Sequence, residues 1–286
     1  MRASTRVRRT LATVAAAALL ITGTLGAASA ANAAAATPTG IVKMAALGDS
    51  ITLGVNSCSS WSGCAQYSWS TGTNTGVPSH FQKIRAVNPG LIGYNDAVSG
   101  AKSIDLNTQA VKAVSQQAQY VTIEMGANDA CTRTTTEMTS PDAFRANVKR
   151  ALTTLLNPAG TITPRQVFVA SIPNLRTMFD INRGSSSARL TWGLLRICQS
   201  MLANPTSNLP ADEARRAMVL QRVVDFNRVL AEECSLYPGL CRFDSNAVFN
   251  TAFTKTHIST RDYFHPSLAG QVLLATTTWN ASQWGS

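Results

Sequence analysis

The sequence predicts an α/β fold built on one parallel sheet that helices cover on both faces. Short apolar runs rich in β-branched residues recur along the chain, and segments of helical period lie between them. Strands that alternate with helices in this way form parallel sheets through right-handed crossovers. The sequence has no internal repeat, so one domain is the expected count.

The N-terminal segment has the features of a secretory signal peptide over residues 1–33. Four arginines precede an apolar stretch over residues 11–25, and small residues then offer cleavage after Ala30 or Ala33. The apolar stretch is too short for a comfortable membrane span. We therefore expect an exported protein without a transmembrane anchor after processing, in which residues 34–286 form the single domain.

Five apolar runs predict the strands of the sheet. In chain order they are Val42–Leu47, Leu91–Val98, Tyr120–Met125, Gln166–Ile172 and, more weakly, Cys241–Val248. Runs of this length and composition are typical of strands buried on both faces.

Three segments predict helices. Ser140-Pro141 is a start signal, a cap followed by proline at the first helical position, and Phe144 and Val148 then share one face. A long helix is expected from about Ala211 to Cys234. A last helix is expected over Ser267–Ala281.

Two connections are too long to be plain turns. Asn56–His80 is rich in Ser, Gly and Thr and carries Trp61 and Trp69, and Pro173–Pro210 is rich in Leu, Met and aromatic residues. Long connections in a compact domain are usually functional or disordered. Their aromatic content favours ordered loops that leave from the carboxyl end of the sheet.

The charge of the chain argues against nucleic acid as a partner. The formal net charge is +10, but four of the 25 basic residues lie in the signal segment, which has no acidic residue. No basic run interleaved with aromatic residues remains. A mild preference for anionic surfaces and simple solubility explain the remaining charge equally well. We expect a monomer.

The six cysteines are an even set in an exported chain, which favours disulfides. The sequence permits fifteen pairings. Short loops favour Cys58–Cys64 and Cys234–Cys241, which leaves Cys131–Cys198 as the long-range bridge. A zinc site is the competing interpretation, but the chain has no Cys-x-x-Cys pair and no histidine close in sequence to a cysteine pair.

Polar residues follow three of the predicted strands. Ser50 comes after the first strand, Gly100 after the second, and Gly126-Ala-Asn128-Asp129 after the third. Ligands bind beyond the carboxyl ends of parallel strands. Ser50 is therefore either a helix N-cap, which is the commoner role, or a nucleophile.

A serine nucleophile needs a base and a group that orients it. Surface or capping roles are expected for His80 and His257. His265 differs, because Asp262 stands three residues before it on a predicted turn. One local turn then presents the carboxylate to the imidazole and leaves the other ring nitrogen for Ser50. The alternative is an ordinary Asp/His pair at a helix start.

Acyl transfer also needs donors for an oxyanion. The N–H groups of Ser50 and Gly100 and the side-chain amide of Asn128 would supply three donors. As alternatives, Gly100 is a plain turn residue, and Asn128 belongs to a turn or cap.

These residues resemble the four sequence blocks of the SGNH hydrolases, also called the GDSL lipase/esterase family. The blocks are Gly48-Asp49-Ser50, Gly100, Gly126-Ala-Asn128-Asp129 and Asp262-Tyr-Phe-His265-Pro266, in the family's order. Ile51 stands where the family name has Leu, a conservative change. The signal segment, cysteine count and size are similar to those of secreted actinobacterial lipases and phospholipases of this family.

The resemblance implies a flavodoxin-like three-layer α/β/α sandwich with a sheet of about five strands. It implies Ser50 as nucleophile, His265 as base, Asp262 as its partner, and an oxyanion hole from Ser50, Gly100 and Asn128, with no metal or organic cofactor. We therefore expect a secreted hydrolase of lipid-like carboxylic esters. The alternatives are an esterase of acetylated polysaccharide and a secreted binding module without turnover. The sequence does not decide acyl length or head group.

Overall fold

The computed structural model describes Met1 and residues 38–60, 63–156 and 165–285. Apart from Met1, the expected signal peptide over residues 1–33 lies outside the described residues, and so does Trp61. The described residues from Pro38 onward belong to one compact unit. Within the described part of the chain, no helix is both long and apolar enough to span a bilayer.

A five-stranded parallel sheet confirms the predicted fold class. Its strands are β1 (Lys43–Gly48), β2 (Ile92–Asn95), β3 (Tyr120–Glu124), β4 (Gln166–Val169) and β5 (Cys241–Phe243). Their order is β2-β1-β3-β4-β5, and every neighbouring pair is parallel. In this flavodoxin-like order the connections from β1 and β3 diverge. A crevice is therefore expected where these two strands end.

Helices flank the sheet on both faces. They are α1 (His80–Arg85), α2 (Leu106–Ser115), α3 (Ala127–Ala130), α4 (Pro141–Leu156), α5 (Leu175–Asn182), α6 (Ser186–Leu195), α7 (Gln199–Leu202), α8 (Pro210–Ser235) and α9 (Leu268–Ala281). Helix α4 packs against both α2 and α8. On α4, the predicted apolar face is buried, and Phe144 stacks on Phe226 of α8 with ring centroids 4.0 Å apart.

The segment between Pro173 and Pro210 is helical, so the expectation of an ordered loop was wrong. It forms α5, α6 and α7. The side chain of Asn174 accepts hydrogen bonds at the start of α5, and Ser185 does so at the start of α6. Such caps satisfy backbone N–H groups that a short helix would leave unpaired.

Most of the large apolar side chains of this segment belong to the core. Met178, Phe179, Trp192 and Met201 are buried, whereas Leu190, Leu194 and Leu195 are exposed on α6. Burial on one face of each helix explains the helical structure, since tertiary packing supplies most of a short helix's stability. The buried residues are therefore unavailable to a substrate.

Strands β2, β4 and β5 end well before their predicted ends, and after β2 and β5 polar side chains hold the chain away from the sheet. After β2, the Asn95 side chain donates to the Thr71 hydroxyl and the Thr52 carbonyl. After β5, the Asp244 carboxylate accepts hydrogen bonds from the N–H groups of Asn246 and Val248. These bonds replace the ladder bonds that a longer strand would make.

Three disulfides join the cysteines as Cys58–Cys64, Cys131–Cys198 and Cys234–Cys241. These are the pairs that the loop lengths favoured among the fifteen possibilities. The long-range bridge connects the end of α3 to the residue before α7.

His80 lies in the core, so a surface role was the wrong expectation for it. Its Nδ1 lies 2.7 Å from the Tyr120 hydroxyl, and its Nε2 lies 3.0 Å from the Thr278 hydroxyl of α9. Burial lowers the pKa of His80 to about 3, which keeps the ring neutral at physiological pH. The ring thus connects β3 to α9. His257 does have a capping role, because its Nδ1 accepts from the Thr254 N–H at 3.1 Å.

Candidate active site

Ser50 follows β1 directly, in a turn rather than at the start of a regular helix. The Leu53 N–H donates to the Asp49 carbonyl, and the Val55 N–H donates to the Ser50 carbonyl. The Asp49 carboxylate accepts the Ile51 N–H at 2.9 Å and so makes the local capping bond. The capping role therefore belongs to Asp49, and the Ser50 hydroxyl remains available for another partner.

That partner is His265. Its Nε2 lies 2.7 Å from Ser50 Oγ, although 215 residues separate the two in sequence. Its Nδ1 forms a hydrogen bond with Asp262 Oδ2. The structure thus brings the three residues into one continuous chain of hydrogen bonds, in the order that a serine nucleophile, a base and an orienting carboxylate require.

The turn from Asp262 to His265 is built by its own carboxylate. Asp262 Oδ1 accepts the N–H groups of Phe264 and His265, each at 3.0 Å. Tyr263, the residue after Asp262, has a φ of 57°, which closes the turn within three residues. Burial alone would raise the pKa of Asp262, but the hydrogen bonds from His265 and the backbone lower it below its usual value. Asp262 is accordingly held as a carboxylate.

Two further residues hold Asp262, and neither was predicted from the sequence to belong to the site. Asn56 Nδ2 donates to Asp262 Oδ2 at 2.7 Å, and Trp192 Nε1 of α6 donates to the Asp262 carbonyl at 3.1 Å. Asn56 lies six residues after Ser50 at a φ of 62°. Asparagine tolerates a positive φ better than most residues do. Its presence at position 56 is the one sign of this contact in the local sequence.

The three expected oxyanion donors lie at the ends of the neighbouring strands β2, β1 and β3. Asn128 connects the loops that carry the other two: its Nδ2 donates to the Ala101 carbonyl at 3.0 Å and lies 3.4 Å from Asp49 Oδ2. Gly100 has a φ of 80°, which favours glycine. Gly100 and Asn128 therefore lie in the loops that follow the two neighbours of β1, the strand that Ser50 follows.

Asp129 secures the loop after Gly100. Its carboxylate accepts the N–H of Ser103 at 2.8 Å and the hydroxyl of the same residue at 2.7 Å. On the other side of α3, Cys131 is bonded to Cys198. The short helix that carries Asn128 is therefore held from both sides.

A carboxyl group also lies directly behind the nucleophile. Asp49 is completely buried, and burial raises its pKa from 3.8 to about 6, opposed by its hydrogen bond from Ile51 and by attraction to His265. The Glu124 carboxyl group, at the end of β3, lies against it. Neither acid is among the predicted catalytic or oxyanion residues.

Most of the chain matches a known protein family. The model of the GDSL-like lipase/acylhydrolase family matches residues 46–273. The membrane-associated phospholipase B1 of Rattus norvegicus is 29% identical over 248 residues, which cover 74% of this chain and 16% of the relative. The chain thus spans about a sixth of the length of that curated relative.

Similar solved structures have the same fold at low sequence identity. The acetylxylan esterase Axe2 of Geobacillus stearothermophilus aligns with a TM-score of 0.50 at 16% identity, over 86% of this chain and 97% of that one. LAE5, an alpha/beta hydrolase enzyme from the metagenome of Lake Arreo, aligns with a TM-score of 0.53 at 15% identity, over the same shares of the two chains. At such identities the likeness shows the fold alone.

The family match covers most of the chain and includes every residue of the hydrogen-bonded chain at the ends of the strands. The protein therefore belongs to the GDSL-like lipase/acylhydrolase family.

Proposed function

We propose that the protein is a hydrolase of carboxylic esters, that Ser50 is its nucleophile, that His265 is its general base, and that Asp262 orients the base. The observation that carries the proposal is the continuous hydrogen-bonded chain from Asp262 through His265 to Ser50 Oγ. A binding module without turnover would have no use for this arrangement. The geometry favours catalysis, because a neutral serine hydroxyl needs such a base to attack a carbonyl carbon.

The reaction has two halves. Ser50 Oγ attacks the ester carbonyl while its proton passes to His265 Nε2, and the imidazolium then gives that proton to the departing alcohol. Water attacks the acyl-enzyme in the same way, with His265 again taking and returning the proton. Asp262 stays ionised throughout and stabilises the imidazolium, consistent with the lowered pKa of its carboxyl group.

The oxyanion forms beside Ser50, Gly100 and Asn128. We assign the backbone N–H groups of Ser50 and Gly100 and the amide of Asn128 as its donors. The Asn128 contact to Asp49 is long, at 3.4 Å, so that amide hydrogen is the weakly held one and is available to developing negative charge.

We further propose that the substrates are esters of lipids. Val98 and Ile104 flank Gly100, and they are 56% and 58% exposed. These apolar side chains suit an acyl chain better than a sugar. Trp69, one of the aromatic residues of the connection Asn56–His80, is buried in the core and is not available to stack on a sugar ring. The match to a phospholipase supports the same substrate class.

Secretion is also part of the proposal. Three disulfides are consistent with an oxidising compartment. We assign residues 1–33 as the signal peptide and residues 34–286 as the catalytic domain, acting as a monomer.

One set of assays tests mechanism and substrate together. Nitrophenyl esters of increasing chain length, phosphatidylcholine and acetylated xylan are given to the wild type, to Ser50→Ala and to Ser115→Ala, which removes an exposed serine hydroxyl at the end of α2. We expect Ser50→Ala alone to lose turnover, and the rate to rise from acetate to longer acyl chains. Activity of Ser50→Ala near that of the wild type would refute the mechanism. A preference for acetylated xylan would assign the protein to carbohydrate esters instead.

A further inference from the structure

A pair of buried carboxyl groups lies behind the nucleophile. Glu124 is the last residue of β3, where it pairs in register with Gly48 of β1, and Asp49 is the next residue after Gly48. Glu124 is 1% exposed, and Asp49 is 0% exposed. Neither carboxyl oxygen of Glu124 has a hydrogen-bond partner of ordinary geometry among the described residues. A buried polar group without a partner is costly, so this one requires an explanation.

A proton on one of the two carboxyl groups accounts for the unpartnered oxygens of Glu124. The Glu124 carboxyl group lies against that of Asp49, and the Asp244 carboxylate also acts on it electrostatically. Two adjacent buried carboxylates cannot both be ionised at moderate cost, so one of them keeps its proton. No set of three or more acidic, histidine or cysteine side chains within the described residues could hold a metal ion, which would be the other way to compensate the charge.

The proton belongs to Glu124. Burial raises the pKa of Glu124 well above its usual value, and both Asp49 and Asp244 raise it further. Asp49 has compensating partners: it accepts the Ile51 N–H, and His265 attracts its charge, although Asp129 opposes it. Near neutral pH the pair therefore consists of a protonated Glu124 and an ionised Asp49.

Asp49 in turn touches the catalytic groups on two sides. One oxygen holds the turn that begins at Ser50, through the Ile51 N–H at 2.9 Å. The other lies 3.4 Å from the amide nitrogen of Asn128. Any change in the position or charge of Asp49 therefore reaches both the nucleophile and an oxyanion donor.

We propose that Glu124 is a positioning residue for ester hydrolysis: as a neutral acid it donates a hydrogen bond to Asp49 and so fixes Asp49 between the Ser50 turn and the Asn128 amide. Its effect on turnover rests on the proposed roles of Ser50 and Asn128. The protonation of Glu124 does not depend on those roles. The effect on turnover and the protonation are therefore tested separately.

Two variants separate hydrogen bonding from packing. Glu124→Gln keeps a donor of the same length, and Glu124→Met fills the space without one. We expect Glu124→Gln to retain kcat within about threefold. Glu124→Met should lose about ten- to hundredfold in kcat with KM little changed, since a small displacement of catalytic groups has effects of this size. Equal kcat values for the two variants, whether both high or both low, would overturn the proposal.

Infrared spectroscopy tests whether Glu124 carries a proton. This test needs neither turnover nor the Met variant. Ser50→Ala at pH 8 should show the C=O band of a protonated carboxyl group, and the band should be missing from the double variant Ser50→Ala/Glu124→Gln. Absence of this band from Ser50→Ala would overturn the proposal. Should Ser50→Ala retain activity, the proposed nucleophile would be wrong, while the infrared result would still report on Glu124.

Discussion

Removing the Cys131–Cys198 disulfide should lower both the free energy of unfolding and turnover. The bridge spans 67 residues of sequence, for which chain entropy corresponds to about 4 kcal/mol of stabilisation. Cys234–Cys241 spans only 7 residues, which corresponds to about 2 kcal/mol. Comparing the double variants Cys131→Ala/Cys198→Ala and Cys234→Ala/Cys241→Ala therefore isolates the effect of loop length from that of losing a disulfide.

The effect on turnover follows from the position of Cys131 at the end of α3. Ser200 of α7 also holds this end, since its hydroxyl donates to the Ala130 carbonyl and its N–H donates to the Thr132 carbonyl. Without the bridge, α3 thus keeps some support, and Asn128 is displaced rather than lost. We expect kcat to fall about tenfold, less than the loss expected on deleting the amide itself. Esters of long acyl chains should lose more than acetate, because displacement of Asn128 also releases the Ala101 carbonyl in the loop that carries Val98 and Ile104.

Urea unfolding followed by tryptophan fluorescence gives the two free energies, and steady-state rates on acetate and octanoate esters give the two activities. The variant lacking Cys234–Cys241 should keep wild-type kcat. The reasoning fails if both double variants lose the same stability, or if the one lacking Cys131–Cys198 keeps wild-type kcat on octanoate.

Three further results are expected. His265→Ala should lower kcat more than Asp262→Asn, because the imidazole transfers the proton and the carboxylate orients it; rates measured against a Ser50→Ala baseline give the order. Asn128→Ala should lower kcat by about 10²–10³ with KM little changed, and a loss confined to KM would instead assign Asn128 to ground-state binding. Between pH 3.8 and about 6, Asp49 binds a proton in the folded state but not in the unfolded state. The free energy of unfolding should therefore fall as pH rises through this window, by up to about 3 kcal/mol from this group. Asp49→Asn should flatten that part of the curve of urea-unfolding free energy against pH, and an unchanged slope would contradict the assignment.

The sheet and the longest helices were predictable because their signals are local. Each strand begins within one residue of the start of its apolar run, and α8 begins one residue before its predicted start, at a proline. Ser50 and Asn128 were visible as candidates for the same reason, since each follows a strand closely. The turn from Asp262 to His265 is local as well.

The remaining features depend on contacts between distant parts of the chain. Glu124 lies within the apolar run Tyr120–Met125 and gives no local sign of function. It meets Asp49 only because β3 pairs with β1. Asn56 bonds Asp262 across 206 residues of sequence. His80 stands in a polar stretch, yet its ring contacts Tyr120 of β3 and Thr278 of α9, which are 40 and 198 residues away in sequence. Sequence patterns record neither pairing register nor such distant contacts.

The hydrogen bond between Ser50 and His265 makes activity depend on contact between residues that lie far apart in the sequence. It closes a loop of 215 residues, whose closure entropy is about 5 kcal/mol. One hydrogen bond contributes far less than that, so the sheet and its helices must bring the two residues together first. A nascent chain that ends before His265 has every strand and eight of the nine described α-helices but lacks the proposed base. We therefore expect hydrolysis to begin only once His265 has been made and brought to Ser50.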